Sequence, residues 1–583
     1  MKRRKPAIEI VNDNVGEPLT KPHRETLADL VDEYQSNTIS RKSFLGRAAV
    51  FGLSATSLSG LLAETAAARA RSPRATPKRA AKLNIGVGQD ADTVDPQAFK
   101  DIPGYYMLAN LYDQLVDLKT HETSRGNILY ANASQPTSMI ARSMVLSKDL
   151  RTVAFKLDPR AKFQDGSPIT AADVKYTFSR GILGTQYTNT LMKMLTLSKV
   201  SNIRTPDPHT VIFRLDKSNP MTARLLSLQV LSIQSAKVSR KHATAKDPWT
   251  NDYWRSNVFG NGPYVLQAWN RGQGFNLAPN PKYYQPGLPK NGGLVFKVIA
   301  NPQQRLSLLE TGALHVAFEI TAKDADSIRA GKAGGVKLID VPSPWSFGLT
   351  FNNAQKPFTD KRVRQALSYA VPYNAIITTI MRGLAQPAKS MVPPGMPTHD
   401  GSFWSYNTDL GKAKQLLTAA GLGNGFSTSI DVLIGRPEDQ QAATLIQANF
   451  QQIGVKAQIN LLDASAYQDN RNNAKSPMQI VEFYSWVNDP FYHMYWNLLS
   501  TNTFTNSSRY SNPAVDKLIL NGIYEANAAK RVAMSRQAQK IIVDDAPWAW
   551  LFARDFFQPV AKNLHDFPYW PDQNPRFYWT FLT

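Results

Sequence analysis

Five side chains stand out by type and position: Trp345, and Glu482, Tyr484, Trp486 and Asp489 inside the block that runs from Ile480 to Pro490. Read as a strand, that block puts Glu482, Tyr484 and Trp486 on one face, because successive side chains alternate. Trp345 opens a second alternation with Phe347, Leu349 and Phe351 before Asn352-Asn353. Such faces offer large apolar contact with hydrogen-bonding tips, which suits binding rather than bond making. The same alternation also serves core packing, and from the residues alone both roles stay open. Covalent chemistry finds no constellation to carry it, since no G-x-S-x-G, H-E-x-x-H or comparable pattern organises the eight histidines. His493 sits isolated among aromatics and His315 follows Gly312, so no pair has metal-ligand spacing. The glycine-flanked stretch Phe259 to Leu266 lacks the lysine and hydroxyl residue of a phosphate loop. Cysteine is absent, which excludes disulfides, thiolate metal sites and cysteine nucleophiles, and with them a lipid anchor on cysteine.

A chain of 583 residues exceeds what one core supports, so two or three lobes are expected. Its 43% hydrophobic and 19% charged residues are an ordinary globular composition, and 37 Pro with 33 Gly imply many turns. The net charge is +22, and the first 80 residues, with 14 Lys and Arg against 8 Asp and Glu, leave most of that excess on the remainder. These charges are scattered, with no basic run, zinc pattern or RNA-binding aromatic motif, so nucleic acid is not an expected partner. Ser40-Arg41-Lys42-Ser43-Phe44-Leu45-Gly46 precedes a small-residue apolar run from Ala48 to Leu62 and then Ala66-Ala67-Ala68-Arg69-Ala70. That order of basic, apolar and A-x-A segments predicts a signal peptide over 1–70, cleaved near Ala68 or Ala70. The run is too short, and too rich in Ser and Gly, to span a membrane. Arg41-Lys42 resembles a twin-arginine export signal with Lys at the second position, which leaves the general secretion route open. A linker, 71–80, leads the mature chain.

The elements that must position the aromatic residues are legible locally. Leu83, Ile85 and Val87 alternate as a first strand, and Tyr105 to Val116 reads as a helix with Leu108, Leu111 and Leu115 on one face. Phe155 and Leu157 alternate before the Asp165-Gly166 turn. There Thr170, whose hydroxyl can accept an orphan amide, and Asp173 form an acidic capping box for a helix with Val174, Phe178 and Ile182 inward. On this reading Asp165, Asp173 and Arg180 are turn, cap and surface residues. Thr210 to Leu215 is a further strand, Gln303 to Thr311 a helix ending at Gly312, and Asp360 caps a helix that buries Val363, Ala366, Leu367 and Ala370. Helices over Ala413 to Leu422 and Ala443 to Ile453 and a strand over Lys456 to Ile459 complete an α/β pattern.

The run F.L…KF.DG.P.TA.DV.Y.F.R from Phe155 to Arg180 resembles the signature of the family 5 extracellular solute-binding proteins, the dipeptide, oligopeptide and nickel-binding subunits of bacterial importers. Further blocks agree in order: NLYDQLV at 110–116, G.GPY.L at 260–266, Asn280 to Tyr284, Pro357 to Ala370 and Gly383 to Gly395. The resemblance extends from about residue 82 to the C-terminus. It implies an α/β, three-lobed periplasmic-binding-protein fold, class II-like, whose discontinuous first lobe comprises 81–125, 262–344 and 550–583, with a second lobe at 126–261 and a third at 345–549. It further implies no enzyme activity and no cofactor. The expected protein is a periplasmic monomer that closes on a small-molecule ligand by a hinge and hands it to ABC permease subunits in the inner membrane. The strand with Trp345 is expected to connect two lobes and present an aromatic residue to ligand. In peptide binders of this family a W..D..DP segment carries an Asp that pairs with the peptide α-ammonium. Aligned on Asp489-Pro490, that position here is Trp486, while Ile480 takes the place of an arginine that can meet a ligand carboxylate. The expected ligand is therefore a peptide or peptide-like solute in which Glu482 or Asp489 replaces the missing Asp, or else a modified peptide, an opine-like compound or a glycoside. An adaptor that senses ligand with the same fold, or a secreted hydrolase, are the alternatives.

Overall fold

A computed structural model describes residues 8–9, 80–98, 102–122, 128–184 and 186–583. Apart from 8–9, the expected signal peptide and nearly all of the linker lie outside the described residues. The chain divides into two compact units, Met1–Glu319 with Val560–Thr583, and Ile320–Pro559.

The first unit contains β1 (Leu83–Val87), α1 (Ile102–Leu111), β2 (Val116–Glu122), β3 (Ile128–Ser138), β4 (Ala141–Leu146), β5 (Thr152–Leu157), α2 (Ala171–Leu183), β6 (Ile203–Asp207), β7 (Thr210–Arg214), β8 (Tyr264–Asn270), β9 (Gly274–Pro279), β10 (Leu294–Val298), α3 (Pro302–Glu310) and β11 (Val316–Ala317). Buried Leu83, Ile85 and Val87 place β1 between parallel neighbours β10 and β11. Strands β4, β5, β7 and β6 form an antiparallel sheet in that order. Helix α2 begins as the residues predict, the Asp173 carboxylate accepting from the Thr170 amide at 2.9 Å and its hydroxyl at 2.7 Å. Thr170 and Asp173 thus form the reciprocal capping box that the sequence predicts, with the Thr170 hydroxyl donating to Asp173 as well. Gly166, at φ 90°, closes the turn by donating its amide to the Phe163 carbonyl.

Two expectations in this unit need correction. Helix α1 stops at Leu111 rather than continuing to Val116, because the Leu111 carbonyl accepts from Gly262 and Val116 starts β2. Arg180 is not a surface residue. It is fully buried, with its guanidinium on both oxygens of Asp95 at 2.7 and 2.5 Å, and it also donates to Gln234, Asn251 and the Trp249 carbonyl.

The second unit contains α4 (Ala322–Arg329), β12 (Val336–Phe351), α5 (Lys361–Ala370), α6 (Leu410–Ala419), β13 (Phe426–Leu433), α7 (Pro437–Gln452), β14 (Val455–Leu462), α8 (Ala464–Asn472), β15 (Met478–Phe483), α9 (Pro490–Leu498), α10 (Pro513–Tyr524), α11 (Ala528–Asp545) and β16 (Trp548–Ala561), which leaves the unit at Val560. Its sheet runs β14-β13-β15-β12-β16. Strand β13 is parallel to β14 and β15, while β12 is antiparallel to β15 with Ser346 opposite Phe483 and Phe351 opposite Met478. Asp360 caps α5 by accepting from Arg362, and Val363, Ala366, Leu367 and Ala370 are buried as their spacing predicts. Arg364 is buried as well, tolerated because its guanidinium donates to the carbonyls of Phe358 and Asp545.

Candidate functional site

Strand β12 is buried on both faces from Ser346 to Phe351, and Trp345, half-buried, marks where that cover stops. Its ring lies 5.5 Å from Phe347 and meets Tyr484 edge-on at 5.8 Å, and Tyr484 in turn lies 6.5 Å from Trp486. Phe347 fixes the base of this run by stacking on Phe552 of β16 at 4.7 Å. The three aromatic residues singled out in the sequence therefore form one continuous run of rings, reached from β12 and from the chain just after β15.

The route by which Tyr484 and Trp486 join that surface differs from the expected one. Strand β15 ends at Phe483, so the two rings do not share a strand face with Glu482. They project instead from the turn before α9, which the Ser485 hydroxyl tightens by donating to the Val487 carbonyl at 2.6 Å. Pro490 occupies the first turn of α9, and proline there both starts a helix and cannot donate to a strand partner.

Asp489 caps that helix and is fully buried, its Oδ1 accepting from the amides of Phe491 at 3.0 Å and Tyr492 at 3.4 Å. The same oxygen meets the Arg531 guanidinium at 2.7 Å. Arg531 lies 4.8 Å over the Phe491 ring and donates from Nε to the Gly522 carbonyl. Glu482 is also engaged, forming an ion pair with Arg436, the residue before Pro437 of α7. Arg436 sits 3.8 Å from Asp439 as well. Burial pushes the Asp439 carboxyl up to about 7, with Arg436 pulling against it.

Three charged residues at this site were not singled out in the sequence. These are Arg436 and Asp439, at the start of α7, and Arg554 on β16. The Arg554 guanidinium lies 4.7 Å from the Trp345 ring and 4.0 Å from Phe557. The two histidines singled out in the sequence are engaged within the fold. Buried His493 meets Phe483 edge-on at 4.7 Å, and burial pushes its pKa down to about 3. His315 accepts the Asn84 amide on Nδ1. Among the described residues no group of three or more His, Asp or Glu converges to hold a metal ion.

Residues 135–505, well over half of the chain, match the bacterial extracellular solute-binding proteins, family 5. The chain belongs to this family. As a family 5 solute-binding protein it is 27% identical over 503 residues to the glutathione-binding protein GsiB of Escherichia coli O1:K1, covering 85% of this chain and 93% of that one. Its fold matches the periplasmic binding protein DppA of Helicobacter pylori, solved with the peptide STSA, at a TM-score of 0.76 and 22% identity, covering 86% and 98% of the two chains. It also matches AgaA of A. tumefaciens R10, solved with agropinic acid, at a TM-score of 0.74 and 23% identity, covering 86% and 99%. The α/β lobed architecture expected from the motifs is thus that of solved binding proteins. No helix among the described residues is long and apolar enough to cross a membrane.

Proposed function

We propose that this family 5 binding protein is the exported, monomeric periplasmic receptor of an ABC importer. On this reading it captures a peptide-like solute against Trp345, Tyr484 and Trp486, hands it unchanged to inner-membrane permease subunits, and does not require a free amino terminus on its ligand. The observation that carries the last point is the state of the two carboxylates able to replace the missing Asp. Glu482 is paired with Arg436, and Asp489 is buried against Arg531 and the start of α9. An ammonium buried without a partner costs several kcal/mol, and recruiting either carboxylate would strand an arginine. A modified peptide, an opine-like compound or a glycoside fits these constraints. A relative that binds glutathione, as its name says, supports the peptide-like class.

Calorimetry with di- and tripeptides, each free and N-acetylated, tests this. Acetylation is expected to leave affinity nearly unchanged, and Trp486→Ala to weaken binding by about 1–3 kcal/mol through lost stacking. Tight binding of free peptides that acetylation and Glu482→Gln both abolish would restore an amino-terminal recognition site. Chemical turnover of a bound solute would remove the receptor assignment.

A further inference from the structure

We infer that the Arg554 guanidinium is the anion anchor of this aromatic surface and takes a carboxylate of the captured solute. The inference rests on the reading that Trp345 and its neighbours bind the ligand. A guanidinium carries five N–H donors and no acceptor, so a half-buried arginine must place them somewhere. Other buried arginines among the described residues place most of theirs within the fold, although the Arg576 Nε is also buried without a partner. Arg180 uses Asp95, Gln234 and Asn251. Arg305 donates to the carbonyls of Phe318, Ala300 and Glu319. Arg364 uses Phe358 and Asp545, and Arg576 uses Asp572 and the Asn574 carbonyl.

Arg554 departs from that pattern. Among the described residues no carboxylate lies within ion-pairing distance of it, its side chain makes no hydrogen bond, and its Nε is buried without a partner. Its immediate neighbours are rings, Trp345 and Phe557. Rings that approach a guanidinium face leave its N–H edge available, so they hold the cation in place without satisfying it. The backbone is held too, with the Arg554 carbonyl accepting from the Ser343 hydroxyl at 2.8 Å and Arg554 itself opposite Ala385.

The nearby acids are committed elsewhere. Glu482 and Asp439 flank Arg436, and Glu438 accepts the Ala322 amide at 2.7 Å. Burial opposes the charge on Arg554, while the fields of Glu438, Glu482 and Asp439 support it. A charged, orientationally fixed donor fork beside an aromatic wall recognises a planar carboxylate through paired hydrogen bonds.

Calorimetry on the full chain tests the assignment with four acids: glutathione, agropinic acid and two N-acetylated tripeptides. Each is paired with its ester or amide, and binding is measured to wild type, Arg554→Met, Arg554→Lys and Trp345→Ala. Wild type is expected to prefer at least one acid over its neutral partner by about ten- to a hundredfold, the range for one charged hydrogen-bonding pair. Arg554→Met, which keeps apolar bulk between the rings, should lose that preference while its melting temperature shows that it folds. Arg554→Lys should keep part of it. Equal binding of acids and neutral partners by wild type, or a preference that survives in Arg554→Met, overturns the anchor. In that case a loss of binding in Trp345→Ala leaves the aromatic surface standing. If Trp345→Ala binds every probe as wild type does, or wild type binds none of them, the reading beneath the inference falls as well.

Discussion

Replacing Asp489 separates a structural carboxylate from a ligand-binding one. Asp489→Ala removes two interactions at once: the cap on α9, typically worth about 1 kcal/mol, and the partner of Arg531. Breaking a buried ion pair from one side costs about 3–5 kcal/mol, because the surviving charge stays desolvated. Arg531 retains 14% side-chain exposure, its bond to the Gly522 carbonyl and its place over Phe491, so the lower end of that range applies. The expected total is about 3–4 kcal/mol, and at about 2–4 °C per kcal/mol for a domain of this size the melting point falls by roughly 6–16 °C. Asp489→Asn keeps an oxygen for the cap and loses only the charge, so it should fall between wild type and Asp489→Ala. Urea and thermal unfolding followed by tryptophan fluorescence at neutral pH provide the measurement, with Arg531→Met completing a double-mutant cycle. The cycle should return a coupling of about 1–3 kcal/mol. A stability change below about 1 kcal/mol, or solute affinity that collapses while the melt stays put, would show that Asp489 serves the ligand and not the helix.

Two further outcomes follow from the same helices. His493 has a pKa of about 3 when folded against 6.5 for the exposed ring, so the unfolded chain binds the extra proton between those values. Stability should therefore be lost as pH falls from about 6.5 towards 3, by at most roughly 5 kcal/mol from this group. Both ring nitrogens lack hydrogen-bond partners among the described residues, so His493→Leu should hold stability at pH 7 and flatten the acid limb of a urea-denaturation pH series. An unchanged acid limb would contradict the burial of the neutral ring. Gly522→Ala should destabilise by about 1–3 kcal/mol despite the better helix propensity of alanine, because the new Cβ would stand 2.1 Å from the Phe491 ring. Relief of that cost by Phe491→Leu in a double mutant checks the steric cause.

Much of the fold was legible in single stretches. The strand, Asp-Gly turn and Asp173-capped helix between Thr152 and Leu183 follow from alternation, a positive-φ glycine and a side chain three residues from the cap, all interactions within a few positions of one another. The Asp360 cap and the buried stripe of α5 are equally local. Of the candidate site, the aromatic residues could be singled out because their types are distinctive, and the order of motifs pointed to the family. What the strands brought beside them could not be read in the same way. Glu482 meets Arg436, Asp489 meets Arg531, and Trp345 meets Arg554 across 46, 42 and 209 positions. The same holds for Arg180, whose place on the polar face of a helix suggested solvent until Asp95, 85 residues earlier, was found to cover it. Local preference acts over one or two turns of chain, so sequence alone determined which segments become strands, turns and capped helices. Which charge is neutralised and which is left without an ion-pair partner depends on sheet order and packing, so only the tertiary structure decided that Glu482 and Asp489 are paired and Arg554 is not.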